Sequence, residues 1–174
     1  MTKFQPGKLN NPAFAAYGVA LLFLLRFPTY LLPQTGLVVA IVAVAPHLLL
    51  FPVVSALSAP GWARAAGYGW LIIDITTDIM GLNGVPATIF LPMRYGGHVS
   101  AALWIVVAAW RTTGATRIVG VLLALFLGGY SFIASLPGMP MFIGLLPVLV
   151  LLPLWFIRVG RLLARANELQ GTTT

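Results

Sequence analysis

Asp74 and Asp78 sit four residues apart in Gly69-Trp70-Leu71-Ile72-Ile73-Asp74-Ile75-Thr76-Thr77-Asp78-Ile79-Met80-Gly81, a run otherwise apolar enough to lie in lipid. They are two of the three acidic residues in the whole chain. Neighbours at i and i+4 share a helix face, so both carboxylates point the same way. Arg94 and His98 repeat that spacing in the next apolar stretch, and Arg26 and His47 lie inside the two stretches before it. Carboxylates and imidazoles can exchange protons, guanidiniums can pair with anions, and two imidazoles can ligate a haem iron. A carboxylate at bilayer depth costs about 2.5–3.5 kcal/mol even on insertion scales, so other elements must answer these two.

The composition says what those elements are. With 60 % hydrophobic and 7 % charged residues and a mean hydropathy of +0.98, the chain falls outside the soluble globular class. A net charge of +7 would point to nucleic acid in a soluble protein, but here the basic residues cluster at the ends of apolar runs. That is the pattern that encodes membrane topology, and no nucleic-acid partner is expected. The absence of cysteine excludes disulfides, thiol redox chemistry, iron–sulfur clusters and thiolate metal sites.

Turn signals divide the chain into six apolar stretches. The fold class expected is all-α: a polytopic integral membrane protein, a six-transmembrane-helix bundle with a short amphipathic C-terminal helix. Residues 1–12 form a polar cytoplasmic segment with Lys3 and Lys8. The spans fall at about 13–32, 37–58, 62–82, 88–110, 115–135 and 139–157, each near the roughly 20 residues a bilayer requires. Asn11 caps the first and Pro12 takes its first helical position; no small-residue cleavage site follows, so this helix is read as uncleaved. The fourth needs His98 and Arg94 to lie within the membrane, with a kink expected at Pro92. Residues 158–174 form a basic cytoplasmic tail whose Arg158, Arg161 and Arg165 share one side and face anionic lipid. With the N-terminus inside, Lys3, Lys8, Arg64, Arg111, Arg117, Arg158, Arg161 and Arg165 all fall on the cytoplasmic side. Localisation to a bacterial-type inner membrane, multi-pass, with both termini cytoplasmic, follows. Trp62, Trp110 and Trp155 are expected in the aromatic belt at that boundary, and Trp70 and Trp104 deeper, beside the polar layer.

At about 1.5 Å rise per residue, Arg26, His47, Asp74 and His98 all lie roughly 16–20 Å from the cytoplasmic helix ends, with Asp78 and Arg94 about one turn further out. In the hairpin around Pro86, Asp78 is level with Arg94 and Asp74 with His98. Arg26 is level with His47 and offers Asp74 a second partner. Two arginines against two aspartates make the layer neutral. Thr76, Thr77 and Tyr95 are available to complete the hydrogen bonding, although threonine in such helices tends to bond its own carbonyls.

The expected function is binding or passage of a small solute, ion or proton at Asp74, Asp78, Arg94, His98, Arg26 and His47, with Asp74 and His98 as the protonatable pair. The alternative is a non-catalytic accessory or assembly subunit in which the layer only fixes helix register. A third reading makes His47 and His98 axial ligands of a b-type haem. No metal site is expected, because the arginines would repel a cation. Enzyme activity is not expected either. Gly61-Trp62-Ala63-Arg64 is one residue short of the Gly-x-x-Ala-Arg segment of CDP-alcohol phosphotransferases, whose further aspartates are missing. Intramembrane aspartyl proteases place their aspartates on two helices, whereas these share one. Polar residues are confined to the first four spans, which argues against two inverted three-helix halves. Gly120, Ala124 and Gly128 form a small-residue stripe, suited to close packing within the chain or to a homo-oligomer seam.

Overall fold

A computed structural model of the protein describes residues 11–29, 36–134 and 141–171, the side chains of 141–144, 170 and 171 excepted. The N-terminal segment with Lys3 and Lys8, the turn around Pro33, the junction at 135–140 and the last three threonines lie outside the described residues. All regular structure among the described residues is helical. The elements are α1 (Pro12–Thr29), α2 (Leu37–Ala56), α3 (Gly61–Leu82), α4 (Ala87–Trp110), α5 (Gly114–Ile133) and α6 (Met141–Gly171).

Local chemistry sets the ends. Asn11 Oδ1 accepts the Ala13 amide at 2.9 Å, and Pro12 occupies the first helical position, where a missing N–H costs nothing. Gly84 (φ +74°) and Gly114 (φ +57°) take the left-handed conformation in the α3–α4 and α4–α5 turns, which a Cβ would strain. α4 passes through Pro92 as one continuous helix.

Each helix packs on its chain neighbours and α1 closes on α6, so the six form a ring. One end of the ring carries the α3–α4 turn and is called here the Pro86 end. The other carries the α2–α3 and α4–α5 turns and is the Pro60 end. Toward the Pro60 end the interior is filled by Leu50, Leu71, Trp104, Ile105, Leu123, Trp155 and Phe156, all with essentially no exposure. Every helix exposes large apolar side chains, including Ile72 and Ile79 of α3 and Ile89, Met93, Val99 and Leu103 of α4.

Four stretches are long and apolar enough to cross a membrane: α1, α2, α5 and Leu145–Leu169 within α6. Six spans are expected from the sequence, and length with apolarity alone does not support that count. α3 and α4 are long enough, at 22 and 24 residues, but Arg64, Asp74 and Asp78 in one and Arg94 and His98 in the other lower their apolarity.

The C-terminal arginines do not lie on a separate short helix. α6 runs unbroken for 31 residues through Arg158 to Gly171, about 46 Å at the usual rise and longer than a hydrocarbon core. Trp62 and Trp110 are exposed as belt residues would be, but Trp155 is wholly buried. The cause is Gly120 on α5: a Cβ there would lie 2.5 Å from both the Trp155 indole nitrogen and the Ala109 Cβ. Its missing side chain makes the indole's slot. A Cβ on Gly128 would likewise meet Ala102, and Ala124 is buried. The stripe therefore faces the chain's own helices.

Candidate functional site: a cup with a charged floor

Above the aromatic filling, toward the Pro86 end, the ring encloses a cavity of about 380 Å³ bordered by side chains of all six helices. Its walls are largely apolar, with Val39, Ala40, Phe90, Leu91, Val148 and Leu149 among them, and with Tyr95 and Tyr130 on the α4–α5 side. The sequence-predicted residues Arg26, His47, Asp74, Asp78, Arg94 and His98 all border it. The layer forms the floor of a cup.

The six groups form two sets linked through His47, whose Nδ1 also lies 3.9 Å from Asp78 Oδ2. Asp78 is the anion of the first. Arg26 places Nη2 3.1 Å from Asp78 Oδ1 and Nη1 3.4 Å from Oδ2, a two-pronged guanidinium–carboxylate pair. Arg94 Nη2 also donates to Asp78 Oδ1. Arg94 Nε donates to Thr77 Oγ1 at 2.9 Å, and the Thr77 hydroxyl donates to the Asp74 carbonyl at 3.0 Å. Thr77 is thus both a back-bonded helix threonine and a bridge between α3 and α4. Thr76 only bonds back to Ile72, on the exposed side.

Asp74 is the anion of the second set. Trp70 Nε1 donates to Asp74 Oδ2 at 2.7 Å from one turn earlier on the same helix. His47 Nε2 lies 3.1 Å and His98 Nε2 3.5 Å from that same oxygen. Asp74 Oδ1 is buried without a partner among the described residues, and the close approach of Gly97 explains why. A Cβ at position 97 would stand 3.4 Å from that oxygen and 2.9 Å from Ile73. The backbone of α4 covers the carboxylate.

His47 fixes the proton arrangement. Its Nδ1 is 2.8 Å from the Ala43 carbonyl, which can only accept, so Nδ1 carries hydrogen. A bond from Nε2 to Asp74 then needs a second proton between them. Imidazolium with carboxylate and imidazole with carboxylic acid both satisfy it, and both sum to zero charge. Asp78 neutralises only one of the two arginines, so a proton held between His47 and Asp74 would leave the floor at net +1. Phe23 and Trp70 each approach His47 edge-on at 5.7 Å and shield it from water.

The chain matches no family model, no curated protein and no solved structure. Its chemistry has to be read from the site itself.

Asp78 pairs with Arg94, and Asp74 meets His98, across the hairpin. Arg26, expected on Asp74, goes to Asp78 instead. It sits in the last described turn of α1, and the one accessible Asp74 oxygen is already taken by Trp70, His47 and His98. His47 is a closer partner of Asp74 than His98. The haem pair does not fit this geometry: both imidazoles direct Nε2 at one carboxylate oxygen, and the aspartate occupies the space an iron would need. Among the described residues no three His, Asp or Glu side chains are grouped to hold a metal ion.

Trp70 as a donor was not singled out from sequence, although its i,i+4 spacing to Asp74 is legible there. The walls contributed by Tyr95 and Tyr130, which meet edge to face at 6.0 Å, carry no sequence signature.

Proposed function

We propose that the chain is a six-span membrane protein that binds and passes a small anionic solute in the cup, with the His47–Asp74 pair carrying a proton. The observation that carries this reading is the cavity itself, closed round by all six helices and floored by the charged layer. A mostly apolar pocket of this size with a few convergent polar groups is the usual form of a small-molecule site. With a proton held by the His47–Asp74 pair the floor carries a net +1 and selects an anion, and a monocarboxylate with an apolar body matches both floor and walls. Arg94 is the most exposed of the layer's charged groups, at 17 % side-chain exposure, and is the first cation a solute entering from the Pro86 end would meet.

The direction in which the polar groups face supports six spans. α3 and α4 turn their charges into the ring and present apolar residues outward, so lipid contact requires nothing of their averaged composition. Six crossings place Arg64, Arg111, Arg117, Arg158, Arg161 and Arg165 on one side, the Pro60 end, which the positive-inside rule makes cytoplasmic in a bacterial-type inner membrane. The cup then faces outward. The Trp104–Trp155–Phe156 filling is the barrier that passage has to move.

Thermal unfolding of the purified protein with benzoate, benzyl alcohol and benzylammonium tests the reading. Benzoate should raise the midpoint in a concentration-dependent way, by mass action, and the other two should not. The Ala40→Phe variant, which fills the cup, should lose the effect. No shift with any of the three defeats the solute-site reading; a shift with the alcohol or the ammonium alone defeats the anion assignment.

The mutual pairing of Asp78 with both arginines favours a second reading, a non-catalytic subunit whose layer only locks helix register. It predicts no stabilisation by benzoate.

A further inference from the structure

A second concave site lies at the opposite end of the ring and shares no residue with the cup. It is a cleft of about 250 Å³ between the start of α5 and the last third of α6, lined by Thr113, Thr116, Arg158, Arg161, Leu162 and Arg165, with Ala115 at its edge. We infer that this cleft is a phosphate-binding site, built from the uncapped N-terminus of α5 and three arginines one turn apart on α6.

Three independent features converge on an anion. The first is the helix end. Thr113 is the N-cap residue of α5 in extended conformation, yet its side chain makes no capping hydrogen bond. The first-turn amides at Gly114, Ala115 and Thr116 have no intrahelical acceptor, and the helix dipole puts partial positive charge there. Such an end is a ready anion site. Gly114, at φ +57°, produces the tight reversal that brings this end beside α6.

The second is the arginine spacing. Residues 158, 161 and 165 recur at i, i+3 and i+7, so three guanidiniums line one face of α6, opposite the amides. Their planar forks suit phosphate oxygens. No carboxylate lines the cleft. The third is a buried donor without a partner: Arg158 Nε is shielded from solvent and bonds to nothing among the described residues. An unsatisfied buried donor is costly, and a small turn of the partly buried Arg158 side chain toward the cleft would let an oxyanion there answer it. Arg117, the nearby arginine on α5, is directed elsewhere, with Nε on the Thr112 carbonyl at 2.8 Å and its guanidinium over Trp110.

The two hydroxyls, the amides and the guanidiniums together describe the coordination of one phosphate group. In a six-span bundle this cleft lies at the cytoplasmic interface, where a phospholipid headgroup supplies that group. A free phosphate is the other source.

Native mass spectrometry of the full chain released from nanodiscs separates the sources. From an equimolar phosphatidylglycerol and phosphatidylcholine bilayer, the protein should retain phosphatidylglycerol at least tenfold over phosphatidylcholine. The Arg161→Gln/Arg165→Gln variant changes two exposed side chains and should lose that preference, while Arg64→Gln, at the same end but outside the cleft, should keep it. Titration with inorganic phosphate in neutral detergent gives the other arm. Saturable phosphate binding lost in the double variant, without lipid selectivity, assigns the cleft to free phosphate. The inference is overturned if neither lipid nor phosphate is held, or if Arg64→Gln reduces either as much as the double variant does.

Discussion

Arg26 and Asp78, 52 residues apart in sequence, are joined by two guanidinium–carboxylate contacts at 3.1 and 3.4 Å, which tie α1 to α3 across α2. Asp78 is therefore the shared anion of two arginines from two helices, and the members of the set are not equivalent. Asp78→Asn removes the carboxylate that both arginines share and should destabilise by about 3–5 kcal/mol, the range for breaking a buried pair. Arg94→Gln leaves Asp78 still paired to Arg26 and should cost clearly less. Joint replacement of Asp78 and Arg94 should not restore wild-type stability, because it also removes the two-pronged Arg26–Asp78 contact. Midpoints of unfolding in one detergent for the three variants check this order; full rescue by the double variant contradicts it.

Trp70 is the strongest donor to Asp74, at 2.7 Å, and both side chains are almost fully buried. Trp70→Phe keeps the ring against His47 and Trp104 but removes the N–H. A buried acceptor that loses its donor costs about 1–3 kcal/mol, more when charged. The thermal midpoint should fall, and stabilisation by benzoate should change with it, since the carboxylate borders the cup. A variant indistinguishable from wild type in both would remove Trp70 from the site.

How these contacts relate to the sequence is instructive. The i,i+4 pairs Asp74/Asp78 and Arg94/His98, with one short turn between them, were enough to set two helices in register, because depth along a helix follows from counting residues. Counting does not give the direction in which a side chain faces around the helix axis. For that reason counting matches Arg26 in depth but offers it to Asp74 rather than Asp78, and it sets His98 rather than His47 level with Asp74 across the hairpin. The same holds for Trp155: its depth suits an aromatic belt, while Gly120 on another helix opens the slot that buries it. The ring closure of α1 on α6 and the cup it encloses depend on contacts between distant segments, which no local pattern records.

Glycines within α5 make this packing testable by contrast. A Cβ at Gly120 would lie 2.5 Å from Ala109 and from the Trp155 indole, so Gly120→Ala must push α5 off both neighbours. Overpacking of this kind costs about 1–3 kcal/mol. Gly129 lies on the same helix, exposed, with open space where a Cβ would go. Gly129→Ala should be neutral or stabilising by up to about 1 kcal/mol through helix propensity. Paired unfolding measurements should move in opposite directions, and equal losses would refute the close α4–α5–α6 contact.

Whether α3 and α4 cross the membrane is decided by one position. The chain has no cysteine, so single cysteines report without background. Ser58 and Thr113 are exposed at the Pro60 end, and Asn83 is exposed at the Pro86 end, in the α3–α4 turn. Six crossings put Asn83 on the face opposite Ser58 and Thr113. If only the four most apolar helices cross, the α3–α4 hairpin returns without spanning, and all three positions share one face. Labelling of intact cells with a membrane-impermeant maleimide should modify Asn83→Cys, while Ser58→Cys and Thr113→Cys should react only after permeabilisation. Protection of all three in intact cells would establish four spans, place the aspartate layer outside the bilayer core, and remove the reason for a proton-holding pair there.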